Sequence, residues 1–121
     1  MKGRCLRARL GFALHGLQLA ISREKSFRAH VLAGGAVLCV LLVARPPLVW
    51  WTVLALTAGF VMVTELVNTA LETLADHLHP ERHPEIGACK DIAAGAVLVA
   101  AATALVVGMV FAAQWFRGWS D

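Results

Sequence analysis

Three stretches without a charged side chain decide what this chain can fold into. Residues 31–44, 46–64 and 92–116 hold 14, 19 and 25 consecutive uncharged residues. A bilayer core takes about 20 helical residues, so the second and third runs suffice as they stand. The first suffices if it extends to Phe27 and Val49, with Arg28 and Arg45 turning their charged ends to the headgroups. A hydrophobic content of 59% and a mean hydropathy of +0.69 exceed what a small soluble domain, which needs a polar surface, can carry. A buried soluble bundle is the competing reading, and the charge-free lengths argue against it. The 121 residues leave room for one domain, 1–121. We therefore expect an all-α membrane protein with spans over about 28–45, 48–76 and 89–116.

An amino-terminal helix over about 4–24 precedes them. Leu6, Leu10, Leu14, Leu17 and Ile21 recur at spacings of three and four and form one apolar stripe. Arg4, Arg7, His15 and Gln18 fall beside or away from it, the pattern of a helix lying in the membrane interface. The alternative is a helix packed on its own bundle. No short apolar region with a small-residue cleavage site precedes the first span, so no cleavable signal peptide is expected. Cys5, Cys39 and Cys89 are scattered and odd in number, with no disulfide or metal-ligand spacing.

Charge placement sets the orientation. Lys2, Arg4, Arg7, Arg9, Arg23, Lys25, Arg28, Arg82 and Lys90 fall on one side of the spans, and only Arg45 and Arg117 on the other. The basic excess predicts a cytoplasmic amino terminus and an outside carboxyl terminus. Trp50, Trp51, Trp115 and Trp119 all fall at the outer end, as half of an aromatic belt. Seven of the eight acidic residues lie inside, where ATP is available.

Two polar clusters interrupt the apolar pattern. In Glu65-Leu66-Val67-Asn68-Thr69-Ala70-Leu71-Glu72, residues 65, 68 and 72 sit at i, i+3 and i+7 and share a helix face. Ionisable groups where a span leaves the bilayer are costly and usually functional. Lys90-Asp91 opens the last run. No GxxxxGK[ST] loop or protein-kinase signature is present, yet phosphoryl transfer requires only phosphate-bridging metal, a cation and a base near the attacking hydroxyl. Glu24 and Glu72 can hold Mg²⁺ through oxygen ligands. Lys90 can neutralise charge on the phosphate. Glu65, deeper toward the apolar run, can take a proton from a lipid hydroxyl. The competing reading is a satisfied polar network that fixes helix register. Glu24 and Arg28, four apart, also read as an ordinary ion pair.

These residues resemble the prokaryotic diacylglycerol kinase and undecaprenol kinase family. ExxNTAxE at 65–72, Lys90-Asp91-Ile-Ala-Ala-Gly-Ala-Val97 and Glu24-Lys-Ser-Phe27-Arg28 carry the resemblance, in order and over nearly the whole chain. It implies an inner-membrane, ATP-dependent lipid kinase forming a homotrimer with active sites shared between subunits. The reaction it implies is diacylglycerol to phosphatidate, with undecaprenol as the alternative acceptor. By position, Glu65 resembles the catalytic base, and Glu24 and Glu72 the metal-coordinating carboxylates that also meet the nucleotide. Glu81, Arg82, His83, Lys90 and Asp91 resemble nucleotide contacts; Asn68 and Arg28 are supporting polar groups. His30 and Glu65 would meet the lipid acceptor. Three positions depart from the family pattern. Cys5 stands where some members have a substrate-binding arginine, and Phe12 where some have a tyrosine near the adenine. His30 stands where the diacylglycerol branch often has an acid; it and the Ala-Ala-Gly-Ala-Val run look more like the undecaprenol branch.

Two other classes compete. A small ion or proton transporter would use Glu65 and Glu72 as stations, but needs a polar path, and only Thr52 and Thr57 are polar between Pro46 and Thr64. A zinc protein would use His77, His79 and His83 with Glu81, although a proline-broken loop suits ordinary solvated histidines better.

Overall fold

A computed structural model describes residues 3–79, 81 and 83–119. Four helices follow one another: α1 (Leu6–Arg23), α2 (Lys25–Ala44), α3 (Leu48–Leu78) and α4 (Pro84–Arg117), with no strand among the described residues. The last three are long and apolar enough to cross a bilayer. At 1.5 Å per residue, α3 and α4, of 31 and 34 residues, run about 46 and 51 Å, well beyond a ~30 Å hydrocarbon core. Their paired ends at Leu78 and Pro84 therefore project past the apolar layer and carry the polar clusters out of it.

One extended residue separates α1 from α2. Glu24 takes φ −107° and ψ 108°, and its N–H still donates to the Ala20 carbonyl at 2.9 Å. The Arg28 guanidinium Nη1 donates to the carbonyls of Ile21 at 2.8 Å and Ser22 at 3.1 Å. These are last-turn carbonyls with no partner inside α1, and a cation is favoured there. The ion pair expected between Glu24 and Arg28 does not form, because Arg28 is turned back onto α1. The leucine stripe of α1 stays exposed, as an interfacial helix requires; Leu6 and Leu10 are 80% and 58% accessible, while Ala20 is buried.

At the opposite end, Arg45 reverses the chain in the left-handed region, with φ 48°. Pro46 and Pro47, the latter at the cap position, then lead into α3. Trp119 at the end of α4 donates its indole N–H to the Ala44 carbonyl at 3.1 Å, tying α4 to the last turn of α2. Its ring packs on Phe111 and Trp50, with centroids 5.4 and 6.5 Å away. Leu41, Leu54 and Phe111 form the buried core beneath this aromatic cluster. Further along α4, Ala93 and Ala100 are buried, and small residues of this kind let membrane helices approach closely.

The amino-terminal end of α4 differs from what apolarity alone suggests. The helix begins at Pro84, five residues before 89, because His83 caps it: its Nδ1 accepts the N–H of Glu85 at 3.2 Å. Pro84 occupies the first helical position, where a missing N–H costs nothing. It starts this helix and does not stop the previous one.

Candidate active site

Glu65 is the buried acid of the described residues, 4% accessible on the α3 face turned to α2. Ser26, in the first turn of α2, donates its hydroxyl to Glu65 Oε1. His30, one turn further, brings Nδ1 to 4.0 Å from Oε2. The same Nδ1 lies 3.0 Å from the Ser26 carbonyl. A carbonyl only accepts, so Nδ1 carries the hydrogen. Glu65 Oε2 and Asn68 Oδ1 are both buried without a hydrogen-bond partner among the described residues. Buried polar atoms in native folds are nearly always paired, so two orphans one turn apart single out this stretch of α3 as a candidate site. Their surroundings differ: Glu65 faces α2, whereas Asn68 lines a 220 Å³ pocket with Val67, Leu71, Ala93 and Ala96.

An apolar slot of 190 Å³ runs inward from His30 between α2, α3 and α4. Gly34, Ala58, Met62, Ala104 and Gly108 are among its walls. Gly34 lets α2 approach α3 closely: a Cβ there would stand 3.1 Å from Met62 Cε, and the methionine end would have to yield.

Two further pockets carry titratable side chains. One, of 260 Å³ between the ends of α3 and α4, is lined by Asp76, His79, Glu81, His83, Lys90 and Asp91. Lys90 Nζ is paired there with the Asp76 carboxylate, and Glu72 is near enough to act on Lys90 electrostatically. The His79 and His83 rings stand 5.6 Å apart. The other pocket, of 480 Å³ between α1 and α3, takes its polar groups from Arg23, Glu24, Thr69, Thr73 and His77.

Four residues expected at a nucleotide, Glu81, His83, Lys90 and Asp91, thus share one pocket. Glu24 lines the other, and Glu72 is half-buried on α3. Arg82 lies outside the described residues. Among the described residues no three His, Cys, Asp or Glu converge as a metal cluster within one chain, so the zinc reading through His77, His79 and Glu81 finds no geometry. Glu24 and Glu72 form no ion pair there either, leaving oxygen donors of the type Mg²⁺ takes. Two partners escape a reading of the sequence. Asp76 continues the 65, 68, 72 face by another turn, a signal that was present. Ser26 bonds Glu65 across 39 positions, which no periodicity reveals.

An all-helical membrane protein with a buried carboxylate at the foot of a span and a polar pocket above it is the class this geometry defines. A model of prokaryotic diacylglycerol kinases matches residues 11–112. The chain is 39% identical over 98 residues to a diacylglycerol kinase of Synechocystis sp., covering 80% of this chain and 56% of that protein. It is 34% identical to the undecaprenol kinase of Bacillus subtilis, covering 72% of this chain and 71% of that one. It is 32% identical to the diacylglycerol kinase of Escherichia coli, covering 79% of each. The chain belongs to the prokaryotic diacylglycerol kinase family, a bacterial membrane family of lipid kinases that use ATP.

Proposed function

We propose that this chain transfers the γ-phosphoryl group of ATP to the hydroxyl of diacylglycerol, giving phosphatidate and ADP. The observation that carries this reading is the unpartnered Oε2 of buried Glu65, beside His30 at the mouth of an apolar slot. A lipid hydroxyl whose chain enters that slot would meet an acceptor oxygen at the membrane surface. Glu65 takes the hydroxyl proton as the lipid oxygen bonds to the γ-phosphorus and the bond to the β-phosphate oxygen breaks. Lys90, with Asp91, Glu81, Arg82 and His83, binds the nucleotide, and Lys90 offsets phosphate charge. Asn68 offers a second buried oxygen near the base, and Arg28 holds the joint that carries Glu24.

Glu24 and Glu72 would hold Mg²⁺, which supplies charge neutralisation on the phosphates. Glu24 lines a pocket whose walls do not include Glu72, which supports sites completed between subunits of a homotrimer, in a single kinase unit. The basic excess on the side of the spans that holds the chain's amino terminus supports a cytoplasmic amino terminus and active site in the bacterial inner membrane. A transporter reading has less support: Thr57 donates its hydroxyl to Val53 and Thr52 to Leu48, so neither offers a proton path.

Undecaprenol is the second acceptor reading, favoured by a histidine rather than an acid beside the base. The test is labelled ATP and Mg²⁺ with purified protein in mixed micelles, offering diacylglycerol and undecaprenol separately. Labelled phosphatidate supports the first reading. Undecaprenyl phosphate alone would replace it with the second, and label in neither lipid would end both.

A further inference from the structure

We propose that Ser26 is a positioning residue that decides which oxygen of Glu65 receives the proton. The inference rests on the reading of Glu65 as base and goes beyond it. A carboxylate has two equivalent oxygens, and its terminal torsion is broad and two-fold. In this site the two are not equivalent. Oε1 accepts the Ser26 hydroxyl, while Oε2 has no hydrogen-bond partner among the described residues. The tether restrains the rotation and presents the other oxygen toward His30, itself a lining residue of the slot.

Ser26 holds the second polar group as well. Its backbone carbonyl accepts His30 Nδ1 at 3.0 Å. That bond orients the ring with a hydrogen on Nδ1. One residue in the first turn of α2 therefore orients the carboxylate through its side chain and the imidazole through its backbone. Its own position is set by Glu24 two residues earlier, where the chain breaks from α1, and by Phe27, which is 3% accessible and anchors the turn. A base of this kind is useful only in near-attack geometry, where small displacements cost large factors in rate.

The test uses the full-length protein in mixed micelles with Ser26→Ala, Ser26→Thr and Glu65→Gln. Ser26→Ala is expected to lower kcat about tenfold while KM for ATP stays within about twofold, the signature of an interaction that matters to the chemical step. Ser26→Thr keeps the hydroxyl and is expected to recover kcat to within about threefold of the parent. A purely structural hydroxyl would instead change thermal midpoint or assembly and leave kcat per folded protein intact. Full kcat in Ser26→Ala, or a threonine variant as slow as the alanine one, overturns the inference. If the alanine variant does not fold, Ser26→Cys, with a weak donor in the same place, must give an intermediate kcat; parental kcat there also overturns it. Glu65→Gln separates the two levels. Turnover retained in that variant removes Glu65 as base. Turnover lost there, with Ser26→Ala at parental kcat, removes only the role given to Ser26.

Discussion

Replacing Glu65 by glutamine keeps the shape of the buried side chain and removes its charge. The amide oxygen can still accept the Ser26 hydroxyl, so the side chain stays where it is. The amide N–H₂ then stands where Oε2 stood, a place with no hydrogen-bond partner among the described residues. Leaving that donor unpaired costs about 1–3 kcal/mol. In the parent, Oε2 is likewise unpaired among the described residues, in a side chain only 6% accessible, at a comparable cost. Both forms leave one group unpaired in the same place. The thermal midpoint should therefore hold. Catalysis should fall. Loss of a positioned base removes about 10²- to 10⁴-fold in rate, or about 3–5 kcal/mol of barrier. The assay is kcat for lipid phosphorylation at saturating ATP, with thermal unfolding in the same micelles. A kcat near that of the parent would refute Glu65 as base. A collapse of the midpoint would show that Oε2 holds the fold through a contact the amide cannot make.

Four further outcomes are expected. Glu72→Gln should raise KM for Mg·ATP by about tenfold and shift the Mg²⁺ dependence upward; an unchanged dependence removes its metal role. Lys90→Met should lower kcat by on the order of 10²-fold with assembly intact by size-exclusion chromatography; lost assembly with normal specific activity would make its pairing with Asp76 structural. Trp119→Phe keeps the ring contacts but loses the bond to Ala44, and should cost about 0.5–1.5 kcal/mol in unfolding measurements without altering kcat. Cys89 is exposed, so Cys89→Ser should leave activity and stability unchanged; a loss would reveal a thiol function.

The helices were legible because a bilayer demands long charge-free runs, and 46–64 and 92–116 have no soluble explanation. The first span was harder, since its uncharged run is 14 residues while α2 has 20. The missing length comes from Arg28, whose charge is spent on the carbonyls of α1, a contact that sequence spacing assigns wrongly to Glu24. The start of α4 was hidden for a related reason. Pro84 after His83 reads equally as a break or as a capped first turn, and only the backbone shows which. In the site, the 65, 68, 72 face follows from helical periodicity. The division of that face between the α2 contact of Glu65 and the pocket of Asn68 depends on helix packing, which periodicity does not encode. Ser26 was invisible because its partner is on another helix. Asp76 lies one more turn along the same face, but its partner Lys90 is on another helix.

The most direct test of the account is whether label from [γ-³²P]ATP enters a membrane lipid at all. Purified protein, Mg²⁺ and diacylglycerol in mixed micelles would be extracted into organic solvent and the product separated. The account predicts labelled phosphatidate that accumulates with time and requires both Mg²⁺ and the lipid. Folded protein that leaves all label in the aqueous phase, with either diacylglycerol or undecaprenol present, would contradict it.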